Sequence, residues 1–218
     1  DTTTDQYKIY NEDMSTKRVS PDSTFKIYSG LFALEEGIIA PESSCLAWDG
    51  TEYSIGSWNS DQTLSSAMQN SVNWYFQDLD RSLGSASLYS YYSRIAYGNC
   101  DLTGGVDNYW AESSLKISPV EQTELLSGLL ENTWGFGEEN IQAIKDAMFL
   151  TESDAGKLYG KTGTGATADG ENINGWFVGF LESEDHVYSF ALRLWDSPHA
   201  DGNTASRIAM NILNDILS

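Results

Sequence analysis

The feature that most constrains this chain is a polar, proline-marked turn, Pro-Asp-Ser-Thr at 21–24, that leads directly into an apolar segment. Pro, Asp, Ser and Thr together are typical of a helix N-terminus. The apolar residues that follow would cover most of a helix surface, so we expect a buried helix. Gly37 is its predicted end, because glycine adopts the left-handed conformation after a helix without steric cost. This helix carries two polar residues at its start, Ser23 and Lys26.

Ser23 and Lys26 are three residues apart and therefore lie on one face of a helix, within reach of each other. A serine hydroxyl is a weak nucleophile until a base removes its proton. Burial among apolar neighbours lowers the pKa of a lysine, and the neutral amine can then act as that base. The free N–H groups of the first helical turn also favour an oxyanion. The spacing alone is weak, because a serine cap followed by a solvated lysine is the commoner origin of such a pattern.

The composition indicates a globular, acidic protein. The 218 residues, 40% of them apolar, suffice for one large domain or two closely packed subdomains. The net charge of −20, from 12 basic and 32 acidic residues, argues against nucleic acids and anionic polymers as partners. No apolar run approaches the roughly 20 residues of a membrane span, and we expect no signal peptide within the given residues. We therefore expect a soluble chain, either complete or cut from a larger protein.

Cysteine and histidine usage predicts no metal site. His186 and His199 fit no metal-binding spacing, and Cys45 and Cys100 form no CxxC pair. The two cysteines are compatible with one disulfide in an exported domain or with two free thiols, and neither enters the predicted chemistry.

Hydrophobic periodicity predicts strands near both ends of the chain. Residues 6–10 alternate polar and apolar like a half-buried strand. Three more predicted strands, at 158–165, 175–181 and 187–194, form a meander, with a hairpin turn at Asp169-Gly170.

The middle of the chain is predicted to be helical. One helix starts at Ser118-Pro119, a short one covers 141–149, and an amphipathic helix at 203–217 ends the chain. We therefore predict an α+β fold, an antiparallel sheet flanked by helices with an inserted helical lobe. The predicted parts are a sheet subdomain, 1–20 and 157–218, and a helical subdomain, 21–156, which carries the nucleophile helix.

Two more polar residues, Ser71 and Asn73, lie within a helical pattern that covers 61–79. Residues i and i+2 do not face the same way on a continuous helix, so both can point inward only if the helix breaks here. Taken alone, such residues are more often surface polar groups.

The segment Lys-Thr-Gly-Thr at 161–164 is the third polar motif. Glycine in a strand usually marks a place where another group approaches the backbone closely. An exposed strand edge here is suited to pair with a substrate amide, while Lys161 and the two threonines attract a carboxylate. A glycine-weakened edge strand with a solvated lysine is the simpler interpretation of this motif alone.

The three motifs S-x-x-K, S-x-N and K-T-G occur in the order that is the signature of the penicillin-recognising serine acyltransferases, which this sequence resembles. The finer resemblance is to class D β-lactamases and BlaR/MecR-type β-lactam sensor domains. It rests on Ser-Thr-Phe-Lys at 23–26, Tyr-Gly-Asn at 97–99, Trp110, Leu-Lys-Ile-Ser at 115–118, Lys-Thr-Gly at 161–163 and Gly-Trp at 175–176. The resemblance covers nearly the whole chain, although the first strand of the family pattern is missing. It implies the serine β-lactamase and transpeptidase-like fold.

The resemblance also implies roles for the polar residues. Ser23 would be acylated by a β-lactam, with Lys26 as base after N-carboxylation by CO₂ and with no other cofactor. Ser71 would relay a proton and Trp110 would support the carbamate. The backbone N–H groups of Ser23 and Thr164 would form the oxyanion hole. The K-T-G-T segment would hold the drug. Lys161, Thr162 and Thr164 would bind its carboxylate, and Gly163 would let the drug approach the strand backbone closely. Arg207 is near the place of a family arginine but is not matched to it.

Asn73 separates the functional hypotheses. Class D hydrolases usually carry an apolar residue there, whereas sensors and transpeptidases carry Asn. We therefore expect the extracellular domain of a membrane-anchored β-lactam sensor. Its partners would be β-lactams, bound covalently, and the membrane-embedded signalling or protease portion of the same protein. A class D β-lactamase, secreted or lipid-anchored, is the second hypothesis, a peptidoglycan transpeptidase the third, and a non-catalytic module that binds peptide carboxylates the fourth.

Overall fold

The computed structural model describes residues 1–195 and 197–217. In this part of the chain the helices are α1 (Glu12–Ser15), α2 (Lys26–Glu35), α3 (Leu64–Gln69), α4 (Asn73–Arg94), α5 (Pro119–Leu130), α6 (Glu138–Met148) and α7 (Gly202–Leu217). The strands are β1 (Phe149–Ser153), β2 (Gly156–Ala166), β3 (Asn172–Glu182) and β4 (Val187–Trp195). Two 3₁₀ turns cover Asp22–Phe25 and Gly56–Trp58.

The predicted nucleophile helix is present as α2, preceded by the 3₁₀ turn Asp22–Phe25. Its apolar residues are buried, and Gly37 follows its end with φ +67°, as predicted. The predicted capping chemistry is absent, because no side chain caps this helix. Asp22 is buried instead and forms hydrogen bonds elsewhere. The 21–24 turn is therefore held by tertiary contacts rather than by a local cap.

The four strands form one antiparallel sheet in the order β1-β2-β3-β4, which confirms the α+β fold and the meander. The predicted hairpin turn between β2 and β3 is also present, with Gly170 at φ +84°.

β1 is an addition that the sequence did not predict, since this segment was included in the helical portion of the chain. Phe149 and Leu150 are 37% and 45% exposed, and all five residues of the strand are exposed. Without an alternation of buried and exposed positions, such a strand has no period-two signal. The division into two subdomains remains a prediction.

The strand predicted at 6–10 is wrong. These residues are not in a strand, and Tyr7, Ile9 and Tyr10 are 58%, 51% and 94% exposed. Alternation favours a strand only where a partner edge is available. The structure places Thr2 and Thr3 beside β4, where Thr2 N–H donates to Val187 O at 2.9 Å and Val187 N–H donates to Thr3 Oγ1 at 3.1 Å. Residues 6–10 line a cavity of about 1270 Å³ between α5, β4 and α7 that contains none of the predicted site residues.

Helices cover both faces of the sheet. α7 packs on one face, where Phe177 contacts Ala205 and Ala209, and α5 and α6 pack against the sheet through other contacts. β1 pairs only with residues 156–159 of β2, so residues 161–166 of β2 have a free edge. The turn Asp22–Phe25 lies against this edge. The fold thus brings the start of α2 to the only stretch of β2 that β1 leaves unpaired.

Among the helices that the structure describes, none has the length and apolarity required to cross a membrane. Cys45 and Cys100 are free, the first exposed and the second half-buried.

Candidate active site

The start of α2 places Ser23 and Lys26 in direct contact. Lys26 Nζ lies 2.7 Å from Ser23 Oγ and 2.7 Å from Asn73 Oδ1. Three of the residues predicted from separate motifs therefore form one chain of hydrogen bonds, Ser23–Lys26–Asn73.

The surroundings of Lys26 destabilise its charged form. The side chain is 0% exposed, and its Nζ lies 4.9 to 5.7 Å from the ring centroids of Trp110, Phe25 and Phe76. Burial lowers the pKa of Lys26 well below its ordinary value, and the positive charge of Lys161 lowers it further. The carboxyl groups of Asp22 and Asp80 oppose this shift. The aromatic faces attract a cation weakly but do not replace its lost hydration.

The break between α3 and α4 gives Ser71 and Asn73 two different partners. α3 ends at Gln69, α4 begins at Asn73, and Ser71 adopts the left-handed conformation with φ +56°. The break that an inward orientation of both residues requires is therefore present, and the interpretation of these residues as surface polar groups is wrong. The break directs Asn73 to Lys26 and Ser71 to Lys161, whose Nζ donates to Ser71 Oγ at 2.6 Å.

Lys161 is a second buried lysine, 3% exposed, that joins the sheet to the helical lobe. Its Nζ also donates to Thr162 O at 2.9 Å. Burial lowers the pKa of Lys161 to about 7. The simpler interpretation of the K-T-G motif, a solvated lysine, is thereby excluded.

Gly163 allows β2 to approach the nucleophile turn. A Cβ atom at this position would lie 3.1 Å from Pro21 O and 3.3 Å from Ser23 N. The predicted oxyanion donors, the N–H groups of Ser23 and Thr164, thus belong to two segments that abut one another. A larger residue at 163 would push these segments apart.

The two threonines of the motif are directed toward the start of α7. Gly202 N donates to Thr164 Oγ1 at 2.9 Å, and a Cβ at Gly202 would lie 2.7 Å from Thr162 Cβ. Alternation along β2 places them on the face opposite Lys161 and Gly163. Arg207 lies on α7 as an exposed residue, and no observation assigns it to this site.

The loop around Trp110 covers Lys26. The Trp110 ring stacks on Phe25 with centroids 4.5 Å apart, and Trp110 O accepts a hydrogen bond from Asp22 N at 3.1 Å. The indole Nε1 is buried and has no hydrogen-bond partner among residues 1–195 and 197–217. A buried N–H donor next to Lys26 is therefore available to an acceptor group carried by that lysine.

Asp22 contributes to the site in a way that the sequence reasoning missed. Its Oδ2 accepts from Asn174 Nδ2 at 2.7 Å, and Arg193 Nε donates to Asn174 Oδ1 at 2.7 Å. Burial raises the pKa of Asp22 well above its ordinary value, and the nearby carboxyl of Glu112 acts in the same direction. Because Asp in a Pro-Asp-Ser-Thr run reads as a helix cap, only the tertiary partners on β3 and β4 reveal this connection.

Asp80 was missed as well. It is 0% exposed and lies in the interface between α4 and α2. The available signal was its spacing of seven residues from Asn73, which places both on one face of a helix.

The arrangement supports acyl transfer. A serine hydroxyl in contact with a desolvated lysine can be deprotonated and can attack a carbonyl. A second serine in contact with a second lysine can carry a proton to a leaving group. The free edge of β2 lies beside both.

Comparisons with known proteins identify the family of this chain. A family model described as the penicillin binding protein transpeptidase domain matches residues 1–218. Regulatory protein BlaR1 of Bacillus licheniformis is 44% identical over 209 residues, which cover 96% of this chain and 34% of that protein. The chain spans about a third of the length of the curated regulatory relatives that it matches.

The solved structures similar to this chain include a receptor domain and class D β-lactamases. The C-terminal domain of the Bacillus licheniformis BlaR penicillin-receptor has a TM-score of 0.90 at 43% identity, over 94% of this chain and 83% of that chain. The class D β-lactamase BAT-2 has a TM-score of 0.90 at 38% identity, over 98% of this chain and 87% of that chain. The chain is thus similar to a receptor domain and to hydrolytic enzymes at nearly equal structural distance.

Proposed function

Because this chain belongs to the penicillin-binding protein transpeptidase domain family, we propose that it is a β-lactam-sensing domain that is acylated at Ser23 and releases the drug slowly. The observation that carries the proposal is the Ser23–Lys26–Asn73 chain, in which one buried amine contacts both the nucleophile and an amide oxygen. The similarity to regulatory protein BlaR1 supports a sensing role.

Acylation begins with the proton of Ser23. Lys26, in its neutral form, accepts the proton from Ser23 Oγ–H, and Oγ attacks the lactam carbonyl carbon. The developing oxyanion is stabilised by the backbone N–H groups of Ser23 and Thr164. The C–N bond of the lactam then breaks, and the nitrogen takes a proton from Ser71 Oγ, which Lys161 replenishes across 2.6 Å. The ammonium of Lys161 also attracts the carboxylate of the drug.

The site fits N-carboxylation of Lys26 by CO₂. Only a neutral amine reacts with CO₂, and burial favours the neutral form of Lys26. The unpartnered Trp110 Nε1 would donate to an added carboxylate. A carboxylated Lys26 would offer a carboxylate as general base in place of the neutral amine, whereas the ammonium form has no lone pair and cannot accept a proton. No metal ion is part of the proposal.

Asn73 favours a sensor over a hydrolase. Its Oδ1 accepts a hydrogen bond from Lys26 Nζ, a contact that stabilises the ammonium form. Once Ser23 is acylated, a lysine held as ammonium cannot activate water, so the adduct persists. A class D β-lactamase remains the second candidate, since the structural similarity to BAT-2 equals that to the receptor domain.

The full-length context is part of the proposal. We infer that this domain lies on the extracellular face of the cell membrane and is attached to a membrane-embedded signalling portion. The length of the regulatory relatives, about three times that of this chain, supports such an attachment.

Covalent capture is tested by intact-mass measurement after addition of benzylpenicillin. We expect one whole drug molecule added per chain, no addition in Ser23→Ala, and normal addition in Ser65→Ala, a matched change at an exposed serine of α3. An adduct on the Ser23→Ala variant would show that the nucleophile is misassigned. Absence of any adduct on the unmodified protein would favour the non-catalytic binding module.

A further inference from the structure

The interface between α2 and α4 contains two polar contacts among apolar side chains. The first is Lys26 Nζ to Asn73 Oδ1, at 2.7 Å. The second is Ser29 Oγ, which donates to Asp80 Oδ1 at 2.6 Å. Ser29 is one turn beyond Lys26 on α2, and Asp80 is two turns beyond Asn73 on α4. The nucleophile's lysine and the Asp80 carboxyl therefore lie in one helix–helix interface.

Asp80 is a buried acid whose side-chain hydrogen bonds, within the described part of the chain, come from hydroxyl groups. Its Oδ2 accepts from Tyr109 OH at 2.8 Å, and Tyr109 OH is 3.0 Å from Tyr92 OH. Among the described side chains, no cation forms a salt bridge with it. Burial raises the pKa of Asp80 to about 7, whereas the hydrogen bonds from Ser29 and Tyr109 and the charge of Lys26 act in the opposite direction.

The medium between Asp80 and Lys26 is apolar. Phe76 lies between Asn73 and Asp80 in the sequence of α4, is 0% exposed, and has its ring centroid 5.7 Å from Lys26 Nζ. Charges separated by such a medium are screened less than charges across water. The acylation mechanism does not use Asp80, because its side-chain hydrogen bonds with described residues go to Ser29 and Tyr109 rather than to Ser23 or β2.

We propose that Asp80 is a positioning residue that stabilises the ammonium form of Lys26 across the α2–α4 interface and thereby sets the pH at which the lysine becomes a base. The other charged groups that act on Lys26 are Lys161 on β2, which opposes the ammonium, and Asp22 in the 3₁₀ turn, which favours it. The nearby acid of Asp107, in the loop that leads to Tyr109, acts on Asp80 itself.

Asp80→Asn removes the charge with little change of shape. The amide oxygen can still accept from Tyr109, and its NH₂ group can donate to Ser29 Oγ. Asp78→Asn is the matched control, because Asp78 is on the same helix but is half exposed and paired with Arg81.

The test is an NMR titration of Lys26 in lysine-labelled protein, in buffer free of CO₂ and without drug. Asp80 is two helical turns, about 10 Å, beyond Asn73, which contacts Lys26 Nζ. We expect the Lys26 midpoint to fall by about one pH unit in Asp80→Asn, the size given by two unit charges separated by that length at an effective dielectric constant of about 20. Asp78→Asn should leave the midpoint unchanged. An unchanged or raised midpoint in Asp80→Asn would overturn the inference.

A second variant keeps the test decisive if Asp80→Asn does not fold. Tyr109→Phe removes a hydrogen-bond donor to the carboxylate, which disfavours its charged form, so the Lys26 midpoint should fall by a smaller amount. No change in that variant would also contradict the inference.

The inference rests on the proposed function only for its consequence, faster release of the drug when Lys26 is less readily protonated. The titration itself needs no drug. A shifted midpoint without any penicillin adduct would overturn the proposed function alone, and an adduct without a shift would overturn the role of Asp80 alone.

Discussion

Replacing Asn73 by Val should accelerate release of the drug from Ser23. The substitution removes the oxygen that accepts the 2.7 Å hydrogen bond from Lys26 Nζ. A hydrogen bond to a charged group contributes about 1.5–3 kcal/mol. Because this bond is stronger for the ammonium than for the neutral amine, its loss lowers the pKa of Lys26. The basic form that can activate water then becomes more populated.

We therefore expect deacylation to become about tenfold to a hundredfold faster in Asn73→Val, a change in barrier of roughly 1.4 to 2.7 kcal/mol. Acylation should change much less, because it starts from the basic form of Lys26 that is already present in the free domain. A single side chain is not expected to convert a receptor into an efficient enzyme.

The assay follows the mass of the penicilloyl adduct over time after excess drug is removed. Asn70→Val is the matched control, since Asn70 is exposed at the same helix break and its Nδ2 donates to Ser66 O rather than to Lys26. Equal decay in Asn73→Val and the unmodified protein would remove Asn73 from the mechanism.

Two other predictions concern Lys161 and Trp110. Lys161 is charged below its pKa of about 7. The second-order rate constant for acylation by benzylpenicillin, divided by that for its methyl ester, should therefore decline as the pH rises through about 7. A constant ratio would contradict a role of Lys161 in holding the carboxylate. Trp110→Phe keeps the ring that stacks on Phe25 but removes the unpartnered Nε1. In this variant the NMR signal of the carbamate carbon, from labelled bicarbonate at pH 8, should weaken by about tenfold, which corresponds to a loss of about 1.5 kcal/mol. In the unmodified protein the same signal should fade as acid protonates the amine. A signal that survives Lys26→Ala would show that the label is elsewhere.

Local chemistry made much of the site predictable. Ser23 and Lys26 are neighbours on one turn, and an inward orientation of both Ser71 and Asn73 requires the helix break that is found at Ser71. The helix predicted to start at Ser118-Pro119 likewise does so, with Pro119 as its first residue and a capping box between Ser118 and Glu121. Each of these is set by residues within a few positions of one another.

The residues that were missed depend on distant partners. Asp22 is defined by Asn174 on β3, and Asp80 is defined by Ser29 on α2 and by Tyr109. The strand β1 was not predicted, and the strand at 6–10 was predicted wrongly, for a related reason. A strand is stabilised by an available partner edge, and alternation within five residues does not say whether one exists.

The most direct test of the account is the lifetime of the adduct on the unmodified protein, measured by intact mass after removal of excess benzylpenicillin. A sensor requires the penicilloyl mass to persist for about an hour or longer, a deacylation rate constant on the order of 10⁻⁴ s⁻¹, against about 10 s⁻¹ for a typical enzyme. We predict the persistent adduct. Return of the unmodified mass within seconds, with hydrolysed drug accumulating over many turnovers, would contradict the sensor and identify a class D β-lactamase.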